Sequence, residues 1–289
     1  MEKYLELRRR YPRFFYRGYE IEEQERELKV TYRFEIEGLS VFAPTWRFPK
    51  EEGDGGCRKK DPLLQDMVFS LGMVELVSYW KLACPPKVVV EAQALSPEQI
   101  AWWKDLYYNG LGEFFYVNHI TQAGPEDFME IEPAEVRKGT GCGALLHGLA
   151  ETERGYEAAP DGGHQKGVIV PVGGGKDSAV TLELMRQAGE TLYAYIINPR
   201  GATIRTAQVA GLDEAHVINV KRTLDANMLE LNRQGYLNGH TPFSALVAFS
   251  SLIAARLYGL PYVALSNESS ANESTVRGSA VNHQYSKKL

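Results

Sequence analysis

Cysteine is scarce in this chain, and its spacing excludes two common kinds of site. The 289 residues include three cysteines, Cys57, Cys84 and Cys142. An odd number cannot all pair within one chain, and no two lie at the spacing of zinc ligands. We therefore expect reduced thiols in a cytoplasmic protein, without a disulfide framework.

Long apolar segments and an excess of positive charge are also missing. The longest apolar segment, residues 243–257, contains three serines. It is too short and too polar to span a bilayer, which predicts a buried helix. No apolar stretch follows the arginines at 8–10, so we expect no secretory signal. The net charge of −5 argues against non-specific binding of nucleic acid, so nucleic-acid and membrane partners are not expected.

The remaining composition is that of a globular protein, with 44% apolar and 24% charged residues. The length allows two domains. A Gly- and Pro-containing stretch between the halves, residues 158–163, predicts an interdomain linker or an exposed loop. We divide the chain into an α+β N-terminal domain (1–150), a linker (151–166) and a nucleotide-binding domain (167–289).

The first half mixes strand and helix patterns. Period-two alternation predicts a strand over 29–37, and a Gly38 turn predicts its hairpin partner over 39–45. Ser96 and Gln99 have the spacing of a capping box at the start of a helix. The other predicted elements are a helix over 61–82, a strand over 87–91, the capped helix over 96–108 and a strand over 113–117.

The second half alternates apolar strands with helices. Strands are predicted over 167–172, 191–197, 215–220 and 261–266, and helices over 177–188, 204–211 and 242–258. Near-continuous apolar strands separated by helices are typical of a parallel sheet covered on both faces. The predicted fold class is therefore α/β, with a doubly wound parallel sheet that binds its ligand beyond the carboxyl ends of the strands.

Three glycines lie between the first of these strands and its helix, in the segment Gly-Gly-Gly-Lys-Asp-Ser at 173–178. Gly173, Gly174 and Gly175 let the backbone turn tightly and bring its N–H groups close to a ligand. The N-terminus of the next helix favours an anion at the same place. Lys176 adds a positive charge suited to phosphate oxygens. A polyphosphate is the predicted ligand.

Two well-known nucleotide motifs do not fit this segment. A Walker A loop needs Gly where this chain has Val170, and Ser or Thr where it has Asp177. The Rossmann fingerprint needs Gly at Ser178. The segment instead resembles the PP-loop of ATP pyrophosphatases, usually Ser-Gly-Gly-x-Asp-Ser, with Gly173 in place of the first Ser. In that family the loop holds the pyrophosphate part of ATP.

The polar residues of the loop have two interpretations. Asp177 either holds Mg²⁺ with the phosphate oxygens or caps the helix. Ser178 either binds phosphate or caps. Lys176 and Asp177 are also candidate catalytic residues.

Polar residues also follow two later strands. Asn198 and Arg200 close the second strand, where PP-loop domains hold adenosine, and Arg205 is a further candidate. The run at 264–273, where the last strand ends, is too polar for a core, so it is either a substrate-binding segment or an exposed loop. Its candidates are Asn267 for the nucleotide, Glu268 and Glu273 for catalysis, and Asn272.

Longer segments resemble one family beyond the PP-loop. They are residues 69–81, 101–106, 112–118, 170–178 and 265–273. They resemble the bacterial UDP-N-acetylmuramoyl-L-alanyl-L-glutamate epimerases, the MurL family, from about residue 30 onwards. Members of that family continue through a C-terminal region, so we interpret this chain as a member that lacks it.

The resemblance implies a reaction on a peptidoglycan precursor. ATP with Mg²⁺ would activate the terminal glutamate carboxyl of UDP-MurNAc-L-Ala-L-Glu as an acyl-adenylate, releasing pyrophosphate. Inversion at the α-carbon and hydrolysis would give the D-glutamate product and AMP. Glu268, Glu273 and His283 are candidate proton-transfer residues. The N-terminal domain would help hold the substrate through Trp80, Trp102 and Tyr116, unless these aromatics are core residues.

Two other functions remain open at this point. One is a nucleoside- or tRNA-modifying ATP pyrophosphatase similar to queuosine-precursor synthases, although those carry a cysteine metal site. The other is an inactive nucleotide-binding fragment that serves as a scaffold. Pyrophosphate release with the muramyl dipeptide, with tRNA and without acceptor distinguishes the three.

Overall fold

The computed structural model describes residues 2–50, 58–121, 123–133 and 167–266. Their regular elements, in chain order, are α1 (Glu2–Arg10), β1 (Arg13–Glu23), β2 (Glu27–Ile36), β3 (Ser40–Phe42), β4 (Thr45–Pro49), α2 (Pro62–Trp80), β5 (Lys87–Val90), α3 (Pro97–Gly110), α4 (Gly112–Val117), β6 (Glu130–Pro133), β7 (Val168–Pro171), α5 (Lys176–Gln187), β8 (Leu192–Ile197), α6 (Gly201–Val209), β9 (Val217–Thr223), α7 (Ala226–Arg233), α8 (Phe243–Leu257) and β10 (Tyr262–Val263). Short 3₁₀ turns lie at Arg58–Lys60 and Glu214–His216.

All the described strands belong to one mixed sheet of ten strands. Its order is β10-β7-β8-β9-β4-β2-β1-β5-β6, with β3 paired to β2. Strands β10, β7, β8 and β9 run parallel to one another. β9 then pairs antiparallel with β4, where Trp46 lies opposite Arg222. The fold class is therefore α/β, and the two halves of the chain meet edge to edge.

Helices cover both faces of the parallel part of the sheet. On one face, Val170 and Ile196 belong to a buried cluster with Leu182 of α5 and Ala207 of α6. On the other face, the Tyr195 hydroxyl donates to Ser250 Oγ of α8 at 2.6 Å. Successive residues of a strand point to opposite faces, so strands buried on both sides must be apolar at nearly every position.

In the part of the chain that the structure describes, helices cover the first half of the sheet on one face only. In β2, Leu28, Val30 and Tyr32 are fully buried, and the Tyr32 hydroxyl donates to Val68 O of α2 at 2.9 Å. The alternate residues form cross-strand ion pairs on the other face, such as Lys29 with Glu22 at 2.6 Å. Exposed pairs of this kind contribute at most about 1 kcal/mol each.

Side chains cap two helices of the first half, and one of these caps, the predicted capping box, is confirmed. Asp61 caps α2 by accepting the Leu63 N–H, and it also accepts from Arg256 Nε of α8 at 2.7 Å. Ser96 and Gln99 form both hydrogen bonds of a capping box at the start of α3. A cap satisfies N–H groups that the helix itself leaves free.

One predicted element differs in type from the structure, and one hairpin is confirmed. The strand predicted over 113–117 is wrong, because these residues form helix α4. α4 follows α3 through Leu111, whose carbonyl accepts the Phe115 N–H at 2.9 Å, so the backbone bonds locally. The hairpin partner predicted over 39–45 is confirmed: β3 pairs antiparallel with β2 after the Gly38 turn, and β4 continues in the same register, with the Tyr32 N–H donating to Pro44 O at 3.0 Å between them.

The predicted domain boundaries fall largely outside the described residues. The linker, 151–166, and residues 134–150 are not described. The three-part division therefore stays a prediction. The described residues do show that β4 of the first half pairs with β9 of the second, so both halves belong to one sheet.

Candidate functional site

The glycine segment forms a turn between β7 and α5. The Val172 N–H still donates to Tyr195 O at 2.8 Å, so the turn begins at Gly173, just beyond the sheet. Gly175 is the N-cap of α5, and no side chain caps that helix N-terminus. The first N–H groups of α5 therefore face the turn without a capping side chain, which favours an anion there.

The three glycines differ in what surrounds them. Gly174 has φ +82°, and a Cβ there would lie 3.3 Å from Thr203 N and from Ala202 Cβ at the start of α6. A Cβ on Gly173 or Gly175 would meet no atom of the described residues within 4 Å. One side of the turn is thus packed closely against α6, and the other side is open with respect to the described part of the chain.

The first turn of α5 carries the remaining loop residues. Lys176 is exposed and Asp177 is half-buried, whereas Ser178 is buried. The Ser178 hydroxyl donates to Gly175 O at 3.0 Å, so it braces the turn from inside. The structure therefore brings together all six residues of 173–178.

The turn after β8 lies beside this loop. Asn198 has φ +50°, and its side chain bridges to β9: Nδ2 donates to Arg222 O and Oδ1 accepts the Arg222 N–H, both at 2.9 Å. Arg200 is exposed and its N–H donates to Thr203 Oγ1 at 3.0 Å, while Arg205 is exposed on α6. Contact of Asn198 and Arg200 with adenosine stays a prediction.

A buried ion pair near this turn was missed by the sequence reasoning. Glu75 of α2 is fully buried and pairs with Arg222 of β9, whose Nη2 lies 2.7 Å from Glu75 Oε1. Glu75 also accepts from Trp46 Nε1 at 3.0 Å, and Arg222 donates to Ser78 Oγ at 3.1 Å. Burial opposes the charge of Arg222, but the attraction of Glu75 outweighs it and raises the Arg222 pKa. The available signal was Glu75 as the one charged residue in the apolar stretch 67–80 of α2.

Lys81 lies one turn beyond Ser78, at the end of α2. Its Nζ donates to Gly239 O at 2.5 Å, in the segment that leads to α8. Burial, together with the positive charge of Arg222, lowers the pKa of Lys81 to about 8, although Glu75 acts in the opposite direction. The lowered pKa means that the fold favours the neutral amine.

Several predicted site residues lie outside the described residues. These are Asn267, Glu268, Asn272, Glu273 and His283. The last described residue is Ser266, whose hydroxyl lies 3.0 Å from Thr181 Oγ1 of α5. In the described part of the chain, no group of three or more acidic, His or Cys residues could hold a metal ion. Asp177 as a Mg²⁺ ligand stays a prediction.

The aromatics proposed to hold substrate divide into two kinds. Trp80 is fully buried and donates from Nε1 to Pro85 O at 2.8 Å, so it is a core residue. Trp102 and Tyr116 keep 37% and 72% of their surface exposed. A separate open cleft of about 440 Å³ lies near the middle of the sheet, where β9, β4 and β2 are neighbours, and is lined by Gln24, Glu25, Arg26, Glu27, Arg47, Pro49, Asn219 and Lys221. We give the turn more weight, because its exposed backbone and lysine suit a phosphate group.

These features define an α/β protein with a glycine-lined, phosphate-suited turn between a parallel strand and a helix. None of the described helices combines the length and the apolar character needed to cross a membrane. The chain belongs to the MurL N-terminal domain family, which matches residues 6–289.

Curated relatives carry one name, UDP-N-acetyl-alpha-D-muramoyl-L-alanyl-L-glutamate epimerase. The protein from Xanthomonas oryzae pv. oryzae is 33% identical over 229 residues, which cover 78% of this chain and 45% of the relative. That from Salinispora tropica is 31% identical over 222 residues, covering 75% and 43%. This chain thus spans less than half the length of these relatives. No solved structure matches it.

Proposed function

We propose that this chain supplies the ATP-binding part of a cytoplasmic enzyme that epimerises the terminal L-glutamate of UDP-MurNAc-L-Ala-L-Glu to D-glutamate. The single observation that carries the proposal is the turn at 173–175, open on one side and packed against α6 on the other. Family membership and the name shared by the relatives support the substrate. The PP-loop type of this nucleotide site belongs to the proposal.

ATP fits the residues present at the turn. The backbone of Gly173 and Gly175 is exposed and would accommodate phosphate oxygens without steric hindrance from a Cβ. Lys176 is exposed at the first position of α5, where its charge and the N-terminal end of the helix would act on the same anion. Asp177 is the proposed protein ligand of Mg²⁺, which would neutralise part of the triphosphate charge.

The chemistry explains why an epimerase would consume ATP. Removing the α-proton of a free carboxylate places two negative charges side by side. Joining the carboxylate to AMP cancels one of these charges, so the α-proton becomes acidic enough to remove and return on the other face. Hydrolysis of the acyl-adenylate would then give the D-glutamate product and AMP. We propose Glu268 and Glu273 for proton transfer and Asn267 as a nucleotide contact, with His283 as a further proton-transfer candidate.

The experiment is a turnover assay with three acceptors. This chain and the Xanthomonas relative are incubated with Mg·ATP and either UDP-MurNAc-L-Ala-L-Glu, tRNA or no acceptor. We expect this chain to bind Mg·ATP. We expect pyrophosphate to be released only with the muramyl dipeptide, and acid hydrolysis of that reaction's product to give D-glutamate. Release with tRNA would favour nucleoside modification instead.

A matched pair of variants assigns the effect to the turn. Lys176→Met should weaken Mg·ATP binding by about 10- to 100-fold, since a charge-assisted hydrogen bond contributes about 1.5–3 kcal/mol. Arg186→Met removes a cation from the last turn of the same helix, where it pairs with Glu183 at 2.7 Å, and should leave binding unchanged. Equal binding by both variants and the unchanged chain would count against the proposed site.

A further inference from the structure

The turn after β8 is held by residues from the first half of the chain. Glu75 of α2 binds the Arg222 guanidinium through both carboxylate oxygens, with Nε at 2.9 Å from Oε2 and Nη2 at 2.7 Å from Oε1. The side chains are 0% and 11% exposed. A bidentate pair in a dry environment fixes the position of both partners. Arg222 is therefore anchored to α2 as well as to its own strand.

The anchored residue in turn fixes Asn198. The two hydrogen bonds between the Asn198 amide and the Arg222 backbone hold Asn198 in the left-handed region, at φ +50°. That conformation is strained for residues other than glycine, and asparagine tolerates it best when its amide bonds locally. The turn at 198–200 thus depends on the position of the Arg222 backbone.

The same turn determines where helix α6 begins, and α6 packs against one side of the glycine loop. Helix α6 begins at Gly201, directly after Arg200, and its Thr203 hydroxyl donates back to Arg200 O at 2.8 Å. The next contact is the close approach of Ala202 and Thr203 to Gly174. A continuous series of contacts therefore runs from Glu75 through Arg222 and Asn198 to the loop.

We propose that Glu75, paired with Arg222, is a positioning residue for the nucleotide site, because it fixes the turn on which the glycine loop packs. The inference rests on the proposed function of that loop. It adds a role for α2, which lies in the first half of the chain and contributes no residue to the loop itself.

The test removes both charges together. Taking away one partner would leave a buried charge unpaired, whereas replacing both by neutral side chains of similar length is often tolerated. Glu75→Gln with Arg222→Met keeps an acceptor for Trp46 Nε1. The matched control is Glu23→Gln with Lys50→Met, an equally buried pair (11% and 5% exposed) formed outside the glycine loop and the 198–200 turn.

Two measurements are made on the whole chain. The first is the dissociation constant of Mg·ATP by titration calorimetry. The second is amide hydrogen exchange of residues 196–206 without nucleotide. We expect the Glu75/Arg222 variant to bind Mg·ATP about 2- to 30-fold more weakly, the range typical of coupled positions, and to exchange faster at 196–206. The control should change neither.

Asn198→Gly is the second variant, because glycine keeps the positive φ but loses both bonds to Arg222. Asn198→Gly should raise the exchange rate of residues 196–206. Adding the Glu75 and Arg222 substitutions to this variant should raise that rate little further. Unchanged exchange and affinity in a folded Glu75/Arg222 variant would overturn the inference, as would an Asn198→Gly variant with unchanged exchange.

Failure of the proposed function gives a different result. If the unchanged chain bound no Mg·ATP, the proposed function would be contradicted. The exchange of residues 196–206 would still decide whether the buried pair holds the turn.

Discussion

At the residue scale, the glycine turn shows that neighbouring glycines can be required for different reasons. Gly174 has a positive φ and a Cβ there would crowd α6, so both its conformation and its packing call for glycine. Neither the conformation nor the packing requires glycine at positions 173 and 175. Their lack of a side chain matters only if something approaches the exposed backbone, which is what a phosphate ligand would do.

The first prediction concerns Gly174→Ala. The substitution should lower the free energy of unfolding by about 1–2 kcal/mol through the left-handed conformation alone. It should also weaken Mg·ATP binding, since the added Cβ displaces the loop from α6. Urea unfolding and titration calorimetry measure the two effects.

Gly189→Ala is the matched control for this prediction. Gly189 follows α5 with φ +79°, and a Cβ there would meet nothing within 4 Å. It should show a similar loss of stability with normal nucleotide binding. If both variants bound equally well, the packing of Gly174 on α6 would not matter for the site.

At the element scale, α2 combines an apolar body with a polar stripe. Glu75, Ser78 and Lys81 recur every three residues, so they lie on one side of the helix. They meet Arg222 of β9 and the Gly239 carbonyl before α8. The stripe faces the second half of the chain, which explains how polar groups are accommodated in an otherwise buried helix.

The second prediction follows from Lys81. With its pKa lowered to about 8, the folded chain loses this proton before the unfolded chain does, so stability should rise with pH above about 8. Relative to Lys81→Met, the unfolding free energy of the unchanged chain should gain up to about 1–2 kcal/mol between pH 7.5 and 9.5. Urea unfolding at both pH values measures this difference.

Lys104→Met provides the comparison for that measurement. Lys104 Nζ also donates to a backbone carbonyl, that of Glu126 at 3.0 Å, but its side chain is 21% exposed. The pH slope of the unchanged chain is the reference for both variants. A Lys81→Met variant with that same slope would contradict the prediction.

The elements also show what the sequence could and could not predict. The loop at 173–178, the capping box at Ser96 and the parallel strands β7 to β9 were predictable, because their signals are local in the chain. α4 was mistaken for a strand, since a short aromatic run has no clear period. The β4–β9 pairing joins residues more than 170 positions apart, and no local pattern encodes such a contact.

At the scale of the whole molecule, strand pairing, helix packing and buried ion pairing all help to join the two halves that the structure describes. β4 pairs with β9, α2 packs against α8, and Glu75 binds Arg222. Separating the halves would leave strand edges unpaired and a buried ion pair broken, both of which are costly. The described parts should therefore behave as one cooperative unit.

The third prediction tests this cooperativity. All four tryptophans lie before residue 104, so their fluorescence reports mainly on the first half, with contributions from the contacts of Trp46 with Arg222 and of Trp103 with Phe249. Pulsed hydrogen exchange of residues 167–223 reports on β7, β8 and β9. As urea is raised, the two probes should give the same midpoint, because the loss of either half removes the contacts that stabilise the other. Exchange of residues 167–223 at clearly lower urea than the fluorescence transition would contradict this prediction, because the nucleotide-binding part would then unfold independently. In that case α2 would not stabilise the second half, and Glu75 could position the turn only while the second half is folded through its own contacts.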